Sequence, residues 1–143
     1  MKCTVILDAD REEEVIIYAH SHNEIIEAIK NITDGNTKEL NGYLRGEIFK
    51  LNIKDIYLFT IEDSKLYAYS ESQKYLIKTR LCNIENLLDN NFVKINKSSI
   101  ANISKIQKFD ASIYGTLKVV FKNGQIDYVS RRNLKKVKER LGL

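Results

Sequence analysis

The sequence predicts a mainly β domain, in which small packed sheets with short helices follow a small β-β-α N-terminal segment. Three observations support this prediction. Short apolar runs follow one another beyond residue 41 and are separated by turn-forming residues. Helical periodicity is confined to short stretches of the 143-residue chain. Charged residues make up 29% of the chain, which is typical of a folded, soluble protein.

Residues 1–40 form the predicted N-terminal segment, which is acidic because it carries four Lys and Arg against nine Asp and Glu. Residues 2–7 and 15–19 are apolar and β-branched, as strands are. Ser21 or Asn23 can cap a following helix. Spacings of three and four give that helix one apolar face, which we expect to be buried: Ile25, Ile26, Ala28, Ile29 and Ile32.

The pair Asn41-Gly42 predicts a turn, and with it the start of a second domain over residues 41–143. Apolar and alternating runs beyond it predict strands, which cover residues 43–51, 55–61, 66–70 and 75–81. Residues 62–65 form the expected turn between the second and third of these strands. Residues 83–88 suit a short helix capped by Asn83.

The last third of the chain, residues 92–143, is strongly basic, with twelve Lys and Arg against three Asp and Glu. A strand is expected from Phe92, followed by a helical turn or a tight loop over residues 98–103. Asn123-Gly124 predicts a hairpin with a primed turn. Ser130 or Asn133 can cap a basic C-terminal helix. The charge of this third indicates a polyanionic partner.

The sequence lacks the residue patterns of an enzyme, so we expect no catalytic activity and no cofactor. His20 and His22 have no third ligand nearby, and we predict no metal site. Cys3 and Cys82 lie far apart without a CxxC pair, which favours two buried free thiols in a reducing cytoplasm. No apolar run is long enough to cross a bilayer, so we expect no membrane insertion.

Two polar, basic clusters flank the predicted hairpin and supply hydrogen-bond donors for phosphates and base edges. They consist of Lys94, Asn96, Lys97 and Ser98, and of Ser130, Arg131, Arg132 and Asn133. Because the clusters occupy strand ends and loops, they favour loops on a rigid β scaffold over a helix-turn-helix. DNA binding is therefore the predicted function. The alternatives are a β-rich protein–protein adaptor whose basic face binds an acidic partner and, third, an RNA-binding β-barrel.

The chain resembles the LytTR family of DNA-binding domains over about residues 41–143. The resemblance is carried by residues 92–106, in the pattern Phe92-x-Lys94-Ile95-x-Lys97-Ser98-x-Ile100-x-Asn102-Ile103-x-x-Ile106. Two further stretches extend it, DIYLFTIEDSKLYAY at residues 55–69 and Asn123-Gly124 followed by Val129-Ser130-Arg131-Arg132. The chain departs from the family at Lys94, where Arg is frequent, and at Asn96, where His is frequent.

The resemblance implies a transcriptional regulator whose loops enter successive major grooves of double-stranded DNA and bend the promoter, as a homodimer on paired direct repeats. The groove-facing residues would be Ser64 with Lys65, Lys97 with Ser98, and Arg132. Lys94 and Asn96 complete the implied DNA-binding set together with the phosphate candidates Arg131, Asn133 and Lys135. Some 40 residues precede the match, so we expect a stand-alone regulator without a receiver domain. The acidic segment is then expected to mediate dimerisation or to bind a regulator such as a membrane protein.

Overall fold

The structure is a computed structural model that describes residues 4–12, 14–33, 38–111 and 115–143. The chain divides into two compact units, residues 1–36 and 37–143, and the second begins four residues before the predicted boundary. Across the described ranges, each helix is too short or too polar to span a membrane.

The first unit contains the predicted helix, α1 (Glu24–Thr33). Asn23 caps α1, as the sequence predicts, because its Oδ1 accepts hydrogen bonds from the amides of Ile25 and Ile26, each at 3.1 Å. The expected apolar face is only partly buried, since Ile25 and Ile32 are 51% and 77% exposed.

The two strands predicted in the first unit are wrong for the residues that the structure describes there. Residues 4–7 and 15–19 form no strand. Apolar composition favours a strand only when a neighbouring strand accepts its backbone hydrogen bonds. Large apolar side chains are consequently exposed in this unit: Val5, Ile6, Leu7, Val15, Ile16 and Tyr18.

The second unit is mainly β, as predicted, and its described residues form two antiparallel sheets with two helices. The helix predicted over residues 83–88 with Asn83 as its cap spans Leu81–Leu87 instead, and Arg80 lies at its N-cap position. Cys82, which was expected to be buried, is exposed. The larger sheet has the strand order β2-β1-β5-β4-β3-β7-β6, and the smaller has the order β10-β9-β8. Two short 3-10 turns, Ile53–Asp55 and Ile103–Lys105, lead into β3 and β8. The elements in chain order are β1 (Glu39–Leu44), β2 (Glu47–Asn52), β3 (Leu58–Glu62), β4 (Lys65–Tyr69), β5 (Lys74–Ile77), α2 (Leu81–Leu87), β6 (Phe92–Asn96), β7 (Ser99–Asn102), β8 (Ile106–Asp110), β9 (Leu117–Phe121), β10 (Ile126–Val129) and α3 (Arg131–Leu141).

The larger sheet carries a hydrophobic core on each of its faces. On one face, Phe59 and Ile100 pack with Ile84 of α2. On the other face, Val93 and Ala101 belong to a cluster that includes residues of the smaller sheet and α3, among them Val119, Phe121 and Val137. Each large apolar side chain that is fully buried contributes about 1.5–3 kcal/mol. The strands between the two cores are therefore held firmly, and so are the turns at their ends.

The turn predicted at Asn41-Gly42 is wrong, because both residues lie inside β1. Gly42 is buried, and a Cβ atom there would lie 2.4 Å from Cδ1 of Leu51 and 2.9 Å from Cβ of Tyr75. Glycine therefore permits a close approach of β1 to its neighbours. The chain turns instead at Arg45-Gly46, whose φ values of 50° and 80° are those of a primed two-residue hairpin.

The region predicted as a helical turn or tight loop, residues 98–103, forms strand β7 over Ser99–Asn102. All four residues of β7 are buried, and β7 lies between β3 and β6 in the sheet. Burial by neighbouring strands thus decides the conformation of a segment whose own polar residues favour a turn.

The hairpin predicted at Asn123-Gly124 is confirmed, although its turn is not a primed one. Gly124 has a φ of 87°, whereas Asn123 is not among the residues with positive φ. The Gly124 amide donates to the carbonyl of Phe121 at 2.9 Å. This geometry is that of a turn followed by a glycine in the left-handed region, the second most common hairpin connection.

Candidate nucleic-acid interface

Two turns that the sequence assigns to DNA contact lie at one end of the larger sheet. They are loop 1, residues 62–65 between β3 and β4, and loop 2, residues 96–99 between β6 and β7. Because β3 and β7 are antiparallel neighbours with Thr60 opposite Ser99, both loops emerge at the same end. The amide of Ile61, the residue of β3 that precedes loop 1, donates to the carbonyl of Ser98 in loop 2 at 2.9 Å.

The third basic segment, which we call the α3 entry (residues 130–133), lies beside loop 2. The Ser130 amide donates to the carbonyl of Ile95 at 2.9 Å. Oγ of Ser130 accepts a hydrogen bond from the amide of Asn133 at 3.3 Å and so caps α3, as predicted. Arg131 and Arg132 are exposed in the first helical turn. Their charges add to the positive end of the helix dipole.

Asn96 connects loop 2 to β10, the strand that leads into the α3 entry. Its Nδ2 donates to Oδ1 of Asp127 at 3.1 Å and to the carbonyl of Tyr128 at 2.9 Å. Its Oδ1 accepts from the amide of Ser98 at 2.9 Å. Both N–H groups of the carboxamide are thus used inside the protein. Sequence analysis assigned Asn96 to DNA contact and did not identify its partner Asp127. The position of an acidic residue within a basic region is the feature of the sequence that could have indicated this pairing.

Loop 1 presents Ser64 and Lys65 on a backbone of unusual conformation. Asp63 and Ser64 have φ values of 47° and 64°, in the left-handed region that costs a non-glycine residue about 1–2 kcal/mol. Ser64 and Lys65 are both exposed. The turn therefore presents two potential donors, Ser64 in the two-residue tip and Lys65 at the first position of β4.

Behind the tip of loop 1, the carboxylate of Glu62 is neutralised by two partners. It accepts hydrogen bonds from Nζ of Lys74 and from Oη of Tyr69. Burial raises the pKa of Glu62, but these hydrogen bonds outweigh burial and leave the pKa below its ordinary value. The hydrogen bond with Glu62 raises the pKa of Lys74. Glu62 and Lys74 are therefore both charged at neutral pH, and the pair presents little net charge.

Most of the cations predicted to contact DNA are exposed and available. Within the described ranges, Lys65, Lys97, Arg131, Arg132 and Lys135 are exposed and form no ion pair with a carboxylate. The half-buried residues Ser98 and Asn133 lie beside these cations in loop 2 and the α3 entry.

Lys94 differs from the other predicted cations in its partner and in its position. It is half-buried, and its Nζ lies 3.6 Å from Oε2 of Glu85 in α2. Lys94 is paired with Ile100 in the β6–β7 register, and Ile100 belongs to the core cluster that contains α2. The structure therefore does not bring Lys94 together with loop 1, loop 2 and the α3 entry.

The site is thus a rigid β scaffold with exposed cations and hydroxyls on three adjoining segments, which is the design of a polyanion-binding domain. A family model described as LytTr DNA-binding domain matches residues 46–142, so the chain belongs to this family, as the sequence predicts.

The chain is also similar to two proteins of known sequence and to one solved structure. Two proteins of Staphylococcus aureus, from strains NCTC 8325 / PS 47 and MRSA252, are each 32% identical over 146 residues. Each alignment covers 100% of this chain and 99% of the relative, and both relatives are named uncharacterized HTH-type transcriptional regulators. Among solved structures, the LytTr DNA-binding domain of a putative methyl-accepting/DNA response regulator from Bacillus cereus has the same fold. Its TM-score is 0.70 at 20% identity, and the match covers 73% of this chain and 97% of that one.

Replacing Glu62 by Gln tests the cluster behind loop 1. Because the pKa of Glu62 is lowered in the folded protein, its contribution is present above the unfolded-state pKa and is lost as the pH falls through the folded-state pKa. Lys74 and Glu62 are 40% and 35% exposed, so we expect a loss of only about 0.5–1 kcal/mol at pH 7. Urea denaturation at pH 7 and in acid should show a loss that vanishes in acid. A loss of equal size at every pH, or an equal loss in the exposed control Glu47→Gln, contradicts this account.

Exchanging the two members of the Asn96–Asp127 pair tests the connection between loop 2 and β10. Asn96→Asp places two carboxylates together and removes a donor from the Tyr128 carbonyl, so we expect a loss of about 1–3 kcal/mol. The double variant Asn96→Asp with Asp127→Asn restores one amide and one carboxylate and should recover part of that loss. Urea denaturation gives the stabilities, and hydrogen exchange of the Ser98 amide reports on loop 2. Additive losses in the double variant would show that the pair does not act as a unit.

Proposed function

We propose that this protein is a sequence-specific transcription regulator that contacts successive major grooves of promoter DNA with loop 1, loop 2 and the α3 entry. The proposal is supported by the arrangement of three adjoining segments at one end of the larger sheet, which present exposed cations that form no ion pair with a described residue. Membership of the LytTr DNA-binding domain family supports the proposal, as do the names of the Staphylococcus relatives.

The chemistry of each side chain indicates which DNA contact we assign to it. Arg132 has the planar fork that binds the O6 and N7 edge of guanine, and we assign base recognition to it. Ser64 with Lys65 and Lys97 with Ser98 are the corresponding groove contacts of loops 1 and 2. Arg131, Asn133 and Lys135 contact phosphates beside the α3 entry. Lys94 binds a phosphate only when it leaves Glu85, and Asn96 positions loop 2.

The proposed bending of the DNA follows from the rigidity of the interface. Backbone hydrogen bonds join Ile61 to Ser98 and Ile95 to Ser130, which limits how far the three segments can move apart. We infer that a duplex engaging all three segments adapts its own curvature to them, at a cost of about 1–6 kcal/mol for moderate bends. Additional contacts offset this cost, and the sequence-dependent stiffness of DNA then contributes to specificity.

Arg132→Ala tests base recognition. On the duplex that the wild-type protein selects from a random pool, we expect a loss of about 1–3 kcal/mol and a relaxed preference at one base pair. Lys54→Ala is the matched control, because Lys54 is exposed and its backbone carbonyl accepts a hydrogen bond from Asn102, at the end of β7 remote from loop 2. Fluorescence anisotropy with selected and scrambled duplexes gives the affinities. An equal loss on both duplexes would reduce Arg132 to a phosphate contact.

The exposed apolar residues of the first unit carry the proposal that the protein dimerises on paired direct repeats through its N-terminal segment. Val5, Ile6 and Leu7 are 78%, 84% and 94% exposed, and such a cluster indicates a surface that another protein covers. The same surface is available to a regulatory partner, such as a membrane protein.

Replacing Val5, Ile6 and Leu7 together by Ser should convert the dimer to a monomer in sedimentation equilibrium, because association depends on burying their apolar surface. The control is Ile126→Ser, which replaces an exposed apolar residue of the second unit and should leave the mass unchanged. A wild-type protein that stays monomeric at all concentrations contradicts dimerisation.

A further inference from the structure

A groove adjoins loop 1 on the side away from loop 2, and sequence analysis assigned no function to it. Strand β5 pairs with β4 so that Ile77 lies opposite Leu66, which brings the residues after β5 next to loop 1. The groove has a volume of about 360 Å³, and its lining includes Ser64, Lys65, Lys78 and Thr79. Two of these are the predicted loop 1 contacts, and the other two belong to the connection from β5 to α2.

The connection continues the line of basic segments along the end of the sheet. β5, β4, β3, β7 and β6 are consecutive neighbours, and the end of β5, loop 1 and loop 2 emerge at the same end because the strands alternate in direction. At roughly 4.8 Å between strands, the end of β5 lies about 19 Å from the end of β6. This distance suits several consecutive phosphates of one DNA strand, which are about 3.4 Å apart along the helix axis.

The charges of the connection complement those of loop 1. Lys74 compensates the charge of Glu62, so loop 1 is left with the exposed Asp63 against Lys65 and has no net positive charge. Lys78 and Arg80 are exposed, and over the described part of the chain neither forms an ion pair. Lys78 lines the groove and Arg80 follows it in the same connection, so the two residues add positive charge beside a loop that has no net positive charge of its own.

Two local contacts leave Lys78 and Thr79 able to bind an anionic ligand. Nζ of Lys78 lies 4.0 Å from the centroid of the Tyr43 ring in β1, on the side of β5 away from loop 1, and this cation–π contact leaves the charge of the lysine uncompensated. Oγ1 of Thr79 accepts a hydrogen bond from Nδ2 of Asn83 at 3.1 Å. The hydroxyl proton of Thr79 has no acceptor among the residues that the structure describes, so it can be donated to a phosphate oxygen.

We propose that Lys78, Thr79 and Arg80 form a fourth contact segment, which binds the phosphate backbone of the DNA beside loop 1. The proposal rests on the DNA binding proposed above and extends the interface beyond the three segments. The segment holds the duplex against loop 1, which has no net positive charge of its own, and it carries no information about base sequence. Its removal is therefore expected to weaken binding equally on all sequences.

Lys78→Gln and Arg80→Gln test the fourth segment in the full-length protein, since glutamine keeps the aliphatic stem and removes the charge. Each should weaken binding roughly fivefold at about 0.15 M salt, to the same extent on selected and scrambled duplexes. The slope of log affinity against log salt should become shallower by about 0.9 for each phosphate that the variant no longer neutralises. Lys78→Arg should restore binding, and Lys54→Gln is the control that should change neither quantity.

The outcomes separate this proposal from the proposed function. Wild-type protein that binds no duplex overturns DNA binding itself. Wild-type binding with unchanged affinity and salt slope in the Lys78 and Arg80 variants overturns only the fourth segment. A loss confined to the selected duplex also overturns it, because the residues would then recognise bases. Thermal melts show whether a variant is destabilised. If the melting temperature of one variant falls, the affinity and salt slope of the other single variant decide the proposal.

Discussion

The geometry of the interface depends on a few hydrogen bonds that connect its segments. The bond from Ile61 to Ser98 connects loop 2 to β3 just before loop 1, and the bond from Ser130 to Ile95 connects the α3 entry to β6 just before loop 2. The carboxamide of Asn96 adds a second connection, because it binds Asp127 and Tyr128 on one side and Ser98 on the other. Loop 2 is therefore the central element, because the positions of loop 1 and of the α3 entry are both fixed relative to it.

These hydrogen bonds can fix the positions of the loops because the strands that carry them are held by packing on both faces. β3 and β7 lie between two hydrophobic cores, and the hydroxyls of Thr60 and Ser99 form a buried hydrogen bond of 2.8 Å next to the loops. A buried polar pair of this kind is costly to break, since each hydroxyl would lose its partner away from water. The hydrophobic cores thus hold the ends of the strands, and the hydrogen bonds hold the loops to those ends.

Sequence patterns predicted those parts of the structure that depend on local chemistry. The Asn23 and Ser130 caps, the hairpin at Asn123-Gly124 and the basic character of the last third follow from residues close in sequence. Gly42, β7 and the N-terminal strands were mispredicted because neighbours distant in sequence decide them. Leu51 and Tyr75 give Gly42 its role, and burial between β3 and β6 makes β7 a strand. The partners of Asn96 lie 31 and 32 residues away, a separation that no local pattern reveals.

The same distinction applies to charge. A count of residues showed a basic last third, but it could not show which cations are free. Folding pairs Lys94 with Glu85 and Lys74 with Glu62, and it leaves the cations of loop 2 and the α3 entry without carboxylate partners in the described ranges. Folding also places acidic residues near the interface, where Glu62 and Asp127 accept hydrogen bonds from protein groups. A carboxylate whose charge is compensated inside the protein repels a phosphate less than a free one. The surface presented to a polyanion is therefore more uniformly positive than the sequence around loop 1 indicates, and pairing, as much as composition, creates it.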